Sequence, residues 1–530
     1  MSTTTTSRRP ALWLVVLLAV LLVGGGCLVW RTVTDPLPGA SAAARRAADA
    51  IAGRTIGDGA FGSTVGPKEA ADLEATLRGM GTLRPAIEVV DVQLSDDQRE
   101  ATARLRAEWV IHAGKSPWVQ DAYLRLVRGT DGWTGVWQRD LIASGLDADD
   151  RLRAVRLAPE RGEILGQDDE RLVWNQDAKR IGLDKTLIPA DAQPAAAAAL
   201  AKAVGVDVDS FVARVAANGP RAYVEAAVIR TVGQVEWRIL DAVRRLAGVR
   251  VLDAVRPLAR SGTFARQLLG SVGEATDDAI RSGGGSIRAG DMVGLAGLQR
   301  VHNASLMGVT GFVVQAYPDG HPEEARDLFQ VPAVAGQPLR TTLDADLQTR
   351  AEALLTRSSG RAAVVVIRPS DGALLAIASK PGDTTATTQR VYPDDFAPVS
   401  AIADGDQAEA VRALGLNGPF GLGIEVFGAE TDGGTLRLSP FAMALATASV
   451  ARGGTIGPWL IVDARPAAPA SGISPAQAET ARHELRRRAR DGLPSDSDGK
   501  LWMVAVKADL VAVTYDSTGG AVALMQRLLH

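Results

Sequence analysis

The chain has 530 residues, 46% of them hydrophobic and 22% charged, with a net charge of −3. That composition is ordinary for folded domains, and at about 100–200 residues per domain the length allows roughly three or four of them. A charge so near neutral gives no support to a nucleic-acid partner, and a single cysteine, Cys27, excludes both an intramolecular disulfide and a cysteine-based zinc site. The histidines are few and not spaced as metal ligands, so no metal and no cofactor is expected.

The N-terminus carries the first strong signal. Ala11 to Trp30 is apolar and uncharged, long enough for one helix to cross a bilayer. Arg8 and Arg9 precede it, which keeps the short tail on the cytoplasmic side, and Trp13 and Trp30 fall where indoles favour the interfaces. The expectation is a single-pass cell-membrane anchor over 1–31, with the bulk of the chain outside the cytoplasmic membrane. Lipidation at Cys27 stays open, although Gly24-Gly25-Gly26 lacks the aliphatic residue usual upstream of such a cysteine. A cleaved signal peptide is the third option, against which stands the lack of a small-x-small cleavage site.

A Pro/Gly/Ala/Ser linker, Asp35 to Ala42, follows. Ala43 to Ile51 reads as a helix. Pro85 to Leu94, Ala101 to Ile111 and Ala122 to Arg128 read as strands from their alternation. A helical start followed by an antiparallel sheet predicts a small α+β domain over 36–147. The stretch 148–335 is mixed: Pro194 opens an Ala-rich helix, Phe211 to Asn218 is helical, and Gly283-Gly284-Gly285 marks a loop. It predicts an elongated region with few long strands.

The last segment, 336–530, begins with an amphipathic helix, Asp344 to Leu355. Ala362 to Ile367 reads as a buried strand, Pro369-Ser370-Asp371-Gly372 as a turn, and Ala373 to Ala378 as the return strand. The basic run Arg486-Arg487-Arg488-Ala489-Arg490 reads as a solvated helix face. Trp502 to Val506 and Leu510 to Tyr515 form a second strand pair, and Gly520 to Leu529 a terminal helix. A sheet with helices on its faces follows.

Six stretches, in order, resemble the class B penicillin-binding proteins that carry an NTF2-like N-terminal domain. Trp133-x-x-x-Trp137 with Leu141-Ile142 is similar to the exit from that domain. Pro159-Glu160-Arg161-Gly162-Glu163-Ile164-Leu165 resembles the arginine-glycine start of the pedestal, or dimerisation, domain. Gly290 to Gln299 with Leu306-Met307-Gly308 resembles its return segment. Leu339 to Gln348 resembles the start of the transpeptidase domain, Ala362 to Ser379 its first hairpin, and Leu438 to Ala444 with Ala451-Arg452-Gly453-Gly454 its late helix and turn. The resemblance implies an α+β multidomain chain: transmembrane helix, NTF2-like domain, elongated pedestal, and a truncated transpeptidase-like α/β sheet domain.

It also implies a chemistry whose residues are missing. The family's serine attacks a D-alanyl-D-alanine amide and forms an acyl-enzyme, which β-lactams trap. Ser-x-x-Lys at a helix start sets the lysine one turn from the hydroxyl as its base. Ser-x-Asn relays protons, and Lys-Thr/Ser-Gly binds the carboxylate and lines the oxyanion site. Here the matching stretch is Tyr392-Pro393-Asp394-Asp395-Phe396-Ala397, which puts Asp394 at the nucleophile position and Ala397 at the base position. Asp394 and Asp395 read instead as caps of the helix that the serine would head. Ser400 starts no substitute motif. No Asn follows a serine at the right spacing, no Lys precedes Ser/Thr-Gly, and Ala401 to Leu414 replaces a long helical lobe. Ser497-Asp498-Gly499-Lys500 fits Ser-x-x-Lys only literally, because it sits in a loop before a strand. Arg260-Ser261-Gly262-Thr263 imitates the third motif from within the pedestal.

The expected function is that of a pseudo-transpeptidase of peptidoglycan synthesis, a scaffold or regulator of cell-wall synthases, with no catalytic residues. The partners the resemblance implies are cell-wall synthesis proteins, among them a polytopic glycan polymerase, and the peptidoglycan stem peptide as a further ligand. The alternatives are a receptor that binds muropeptide or β-lactam without reacting, and an active enzyme with a relocated serine such as Ser497.

Overall fold

The computed structural model describes residues 38–529 apart from 58, 63–64, 112–113, 232–233 and 467–471. The expected anchor and Cys27 lie outside the described residues. Among the described residues no helix is long and apolar enough to cross a membrane. The chain divides into two units: one takes the residues up to Ala158 together with Thr310–Ala333, the other Pro159–Val309 with Val334 onward.

In the first unit the helix Pro38–Gly53 buries Ala40, Ala43, Ala44, Ala47, Ala48 and Ile51. This spacing keeps one stripe of small side chains inward, so the helix can lie close on a sheet. A second helix, Pro67–Leu77, starts on a proline whose missing N–H costs nothing there, and Glu69 reaches back to the Gly66 N–H at 2.8 Å. The strands Pro85–Leu94, Glu100–Trp109, Trp118–Gly129 and Gly132–Gly135 form an antiparallel meander in that order. Glu100–Trp109 alternates buried and open positions along its length, the mark of a sheet with one wet face. A second, three-stranded sheet runs Arg326–Val331, Gly311–Pro318, Asp150–Leu157. Trp118 stacks between Trp109 at 6.1 Å and Phe329 at 6.2 Å, and the buried Asp150 carboxylate takes the Arg326 guanidinium.

The second unit corrects one expectation. Its first part is built on long strands, Arg171–Asp184 and Val249–Ala259, with Tyr223–Arg230 beside them. Arg171–Asp184 pairs antiparallel with both of the others. The alternation is hard to read because the open faces are charged and pair across strands: Lys179 with Asp253, and Arg180 with Glu225. Cross-strand ion pairs of this kind support a sheet while masking its hydrophobic period. The helices Gln193–Val204, Val208–Ala217 and Gln234–Val243 cover a separate small core of Ile181, Leu183, Leu200, Phe211, Leu240 and Val243.

Its second part is a five-stranded antiparallel sheet, in the order Leu374–Ser379, Ala362–Ile367, Leu510–Asp516, Trp502–Lys507, Ser495–Ser497. Ala362–Ile367 is buried at every position, so it reads as a continuous apolar run rather than an alternating one. The helices Ala345–Leu355 and Ala521–Leu529 pack on one face through Leu355, Leu524 and Leu528. Asp344 caps the first of these by accepting from the Leu347 N–H at 2.8 Å. The other face is covered by the helix Pro440–Arg452, buried from Pro440 through Val450, as a helix apolar all round must be.

Candidate functional site

The stretch expected to carry a nucleophile leads into a single helical turn, Ala397–Ser400. Asp394 is exposed at a bend outside that turn, and Ala397 is its first residue. The two positions therefore do not share a helix face, and neither side chain can attack or abstract a proton from the other's place.

The turn is tied directly to the edge strand Ser495–Ser497. The Ala397 N–H donates to Asp496 Oδ2 at 2.8 Å, and Arg488 Nη1 donates to Asp496 Oδ1 at 3.0 Å. The other guanidinium nitrogen of Arg488 reaches the Asp395 carboxylate, which also accepts from the Ser400 hydroxyl. Phe396, 1% exposed, packs edge-on against Trp502 with ring centroids 5.7 Å apart. The whole forms a clasp of Asp395, Arg488 and Asp496 that joins helix start to sheet edge. Two expectations are corrected here. The helix is capped by Asp496, not by Asp394 and Asp395, because the turn begins at Ala397 and its cap position falls on Phe396, which has no side-chain acceptor. Arg488 is not part of a solvated face: its side chain is 25% exposed and bridges two carboxylates.

The electrostatics follow from this packing. Burial pushes Asp496 above the usual carboxylate range, more than the Ala397 N–H and Arg488 pull it down. Asp395 is held below that range by the Ser400 hydroxyl and by Arg488. A carboxylate so held takes up protons poorly, and a guanidinium does not release one. Ser400 thus has a hydrogen-bond partner but no effective base.

Ser497 ends the edge strand, where its hydroxyl accepts from the Gly499 N–H at 3.2 Å. Lys500 lies in the following turn, where Asp498 Oδ1 gathers the N–H groups of Lys500, Leu501 and Trp502 at 2.9, 2.8 and 3.1 Å. No hydrogen bond among the described residues joins Ser497 to the Lys500 ammonium. Ser261 caps its own turn by accepting from the Phe264 N–H at 3.1 Å, and Arg260 pairs with Glu170. The group of metal-ligating side chains found among the described residues is His321, Glu323 and Glu324, all exposed on one turn of the first unit.

The arginine-glycine motif and the return segment do meet. Arg161, 7% exposed, donates to Gln299 Oε1 at 2.8 Å, to the Gln299 carbonyl at 3.1 Å and to Asn303 Oδ1 at 3.0 Å. Burial without a carboxylate partner pulls its guanidinium down to about 10. Gly162 must be glycine, since a Cβ there would lie 2.2 Å from the Gln337 carbonyl oxygen.

Comparison with known proteins agrees with this assembly. The penicillin-binding protein dimerisation domain family matches residues 156–341. Two curated relatives, both described as peptidoglycan D,D-transpeptidase MrdA and from Salmonella typhimurium strains SL1344 and LT2, are each 39% identical over 89 residues. That stretch is 17% of this chain and 14% of each relative, so the match spans a small part of their length. One chain of the solved complex between penicillin-binding protein PBP2 and MreC from Helicobacter pylori superposes with a TM-score of 0.50 and 12% identity, covering 71% of this chain and 98% of that one. At that identity the likeness speaks for the fold.

Proposed function

The chain belongs to the class B penicillin-binding protein family, and we propose that it is an inactive member, acting in peptidoglycan synthesis as a scaffold or regulator and not as a transpeptidase. The observation that carries this reading is the clasp. Where the family's serine helix and third-motif strand would flank a cleft, the Ala397 N–H bonds straight to Asp496 and Arg488 joins Asp496 to Asp395. A substrate amide would have to displace a buried, hydrogen-bonded carboxylate, and no nucleophile–base pair would await it. Neither Asp394 nor Ala397 can supply what their positions imply.

In this reading 1–31 anchors the chain in the cell membrane with the rest outside it, either through Ala11 to Trp30 or through a lipid on Cys27. The unit with the helix Pro38–Gly53 on an antiparallel meander is the NTF2-like domain, 148–335 is the pedestal, and 336–530 is the reduced transpeptidase-like domain. Binding partners are other cell-wall synthesis proteins; that the solved PBP2 neighbour is a complex with MreC supports a protein partner.

The test is intact mass of the full chain in detergent after incubation with a penicillin, beside an active relative. No adduct is expected. A stoichiometric adduct, with peptide mapping to Ser497 or Ser400, would overturn the reading.

A further inference from the structure

A large concavity of the second unit lies away from the clasp. It lies beside the opposite edge of the five-stranded sheet, where the end of Leu374–Ser379 meets the helix Ala345–Leu355, the Arg266–Leu269 and Gly297–Val301 turns and the loop 419–426. Its volume is about 1130 Å3, at or above the upper end of small-molecule sites. The floor is apolar and well ordered by packing: Leu268, Ile377 and Leu422 are buried, and Phe420 is braced edge-on by Phe441 at 5.1 Å.

A fixed polar chain runs under one wall. The Gln348 amide accepts from the Ile377 N–H at 2.9 Å and donates to the Ile377 carbonyl at 3.1 Å, so it caps the edge strand as a neighbouring strand would. The same amide donates to Glu352 at 2.7 Å, and Glu352 accepts from the Ala265 N–H at 2.6 Å. Glu352 is therefore committed to the protein. The other charged lining groups are Arg266, Arg300, Lys380 and Glu425. Lys380 donates to the Ser359 carbonyl at 3.1 Å. Arg266 and Arg300 are exposed, and neither has an ion pair among the described residues. Val301, beside Arg300 on the lining, is 52% exposed. An open apolar side chain at a concavity, next to guanidiniums that have no ion pair among the described residues, is the lining expected of a site for an amphipathic anion.

We infer that this cavity binds an amphipathic anion, with a carboxylate or phosphate held by Arg266 and Arg300 and an apolar body laid against Leu268, Phe420 and Leu422. Guanidinium forks match both oxyanions in a bidentate manner. The site is independent of whether the clasp is inert.

The test is equilibrium dialysis of the full chain, in nanodiscs of zwitterionic lipid, against 1-naphthyl phosphate, 1-naphthoate and the uncharged 1-naphthol, with empty nanodiscs subtracted. Saturable binding is expected for at least one anion, with naphthol at least about tenfold weaker, the size of one lost charge-assisted hydrogen bond. Phosphate preferred over carboxylate assigns a phosphoester ligand, and the reverse a carboxylic acid. The double variant Arg266→Ala/Arg300→Ala should erase the preference for the anion. Val301→Asp, at an exposed position, should weaken anion binding by bringing a like charge to the lining. Equal affinity for naphthol, an unchanged double variant, or no saturable binding of either anion would overturn the inference.

Discussion

Asp496 has its carboxylate between the Ala397 N–H and Arg488, in a site where it is 3% exposed. Two of its features pull against each other: the charge is costly to bury, and the acceptor is needed by a buried N–H. Asp496→Ala should lose about 1–3 kcal/mol, because it orphans the Ala397 N–H, while Arg488 keeps Asp395. Asp496→Asn should lose less, since an amide oxygen can still accept. The pH dependence separates the two features. Because the folded-state pKa of Asp496 is raised, its favourable contribution is full below the unfolded value of about 3.9 and is lost as pH rises through the folded value. Urea unfolding of the wild type and Asp496→Asn should therefore shift in favour of the asparagine as pH rises above the unfolded carboxylate value of about 3.9. A gap moving the other way would mean that Arg488, not burial, dominates the site.

Among the elements, the segments around Arg161 show how a motif can be structural. Arg161 stitches the stretch before Arg171–Asp184 to the Gly297–Val301 turn and to Asn303, whose Oδ1 also accepts from the Gly294 N–H at 2.8 Å. Its role needs no ligand: three neutral acceptors satisfy a buried cation. Arg161→Ala should cost about 1.5–3 kcal/mol, the range for hydrogen bonds to a charged group, read as a lowered urea midpoint of the second unit. Arg161→Lys should not restore it fully, because an ammonium cannot reproduce the planar fork that spans Gln299 and Asn303.

In the molecule as a whole, two units carry separate cores, one gathered around Trp109, Leu124 and Phe312 and the other around the sheet that holds the clasp. The chain leaves the first unit after Ala158 and returns for Thr310–Ala333. Separate cores of this size favour separate cooperative transitions. Scanning calorimetry of the full chain should resolve more than one unfolding step, and Arg161→Ala should move only the step of the second unit. A single sharp transition, displaced as one by that variant, would show that the units unfold together.

Much of this was open to reading from residue order. Ala362–Ile367 is legible as a short apolar run ended by a turn, and the helix after Asp344 and the terminal helix by their local period, signals that need no distant partner. The loss of Ser-x-x-Lys, Ser-x-Asn and Lys-Thr/Ser-Gly is likewise a matter of composition at given positions. The long strands at Arg171–Asp184 and Val249–Ala259 are not legible in the sequence, because their charges are neutralised by one another only after pairing. The clasp was beyond reach for a related reason. Ala397 and Asp496 are 99 positions apart, and an aspartate reads as a cap only when it directly precedes its helix. Folding brought that carboxylate in from the sheet edge, and with it turned one arginine of a basic run from a solvated side chain into a bridge between the buried Asp496 and the exposed Asp395.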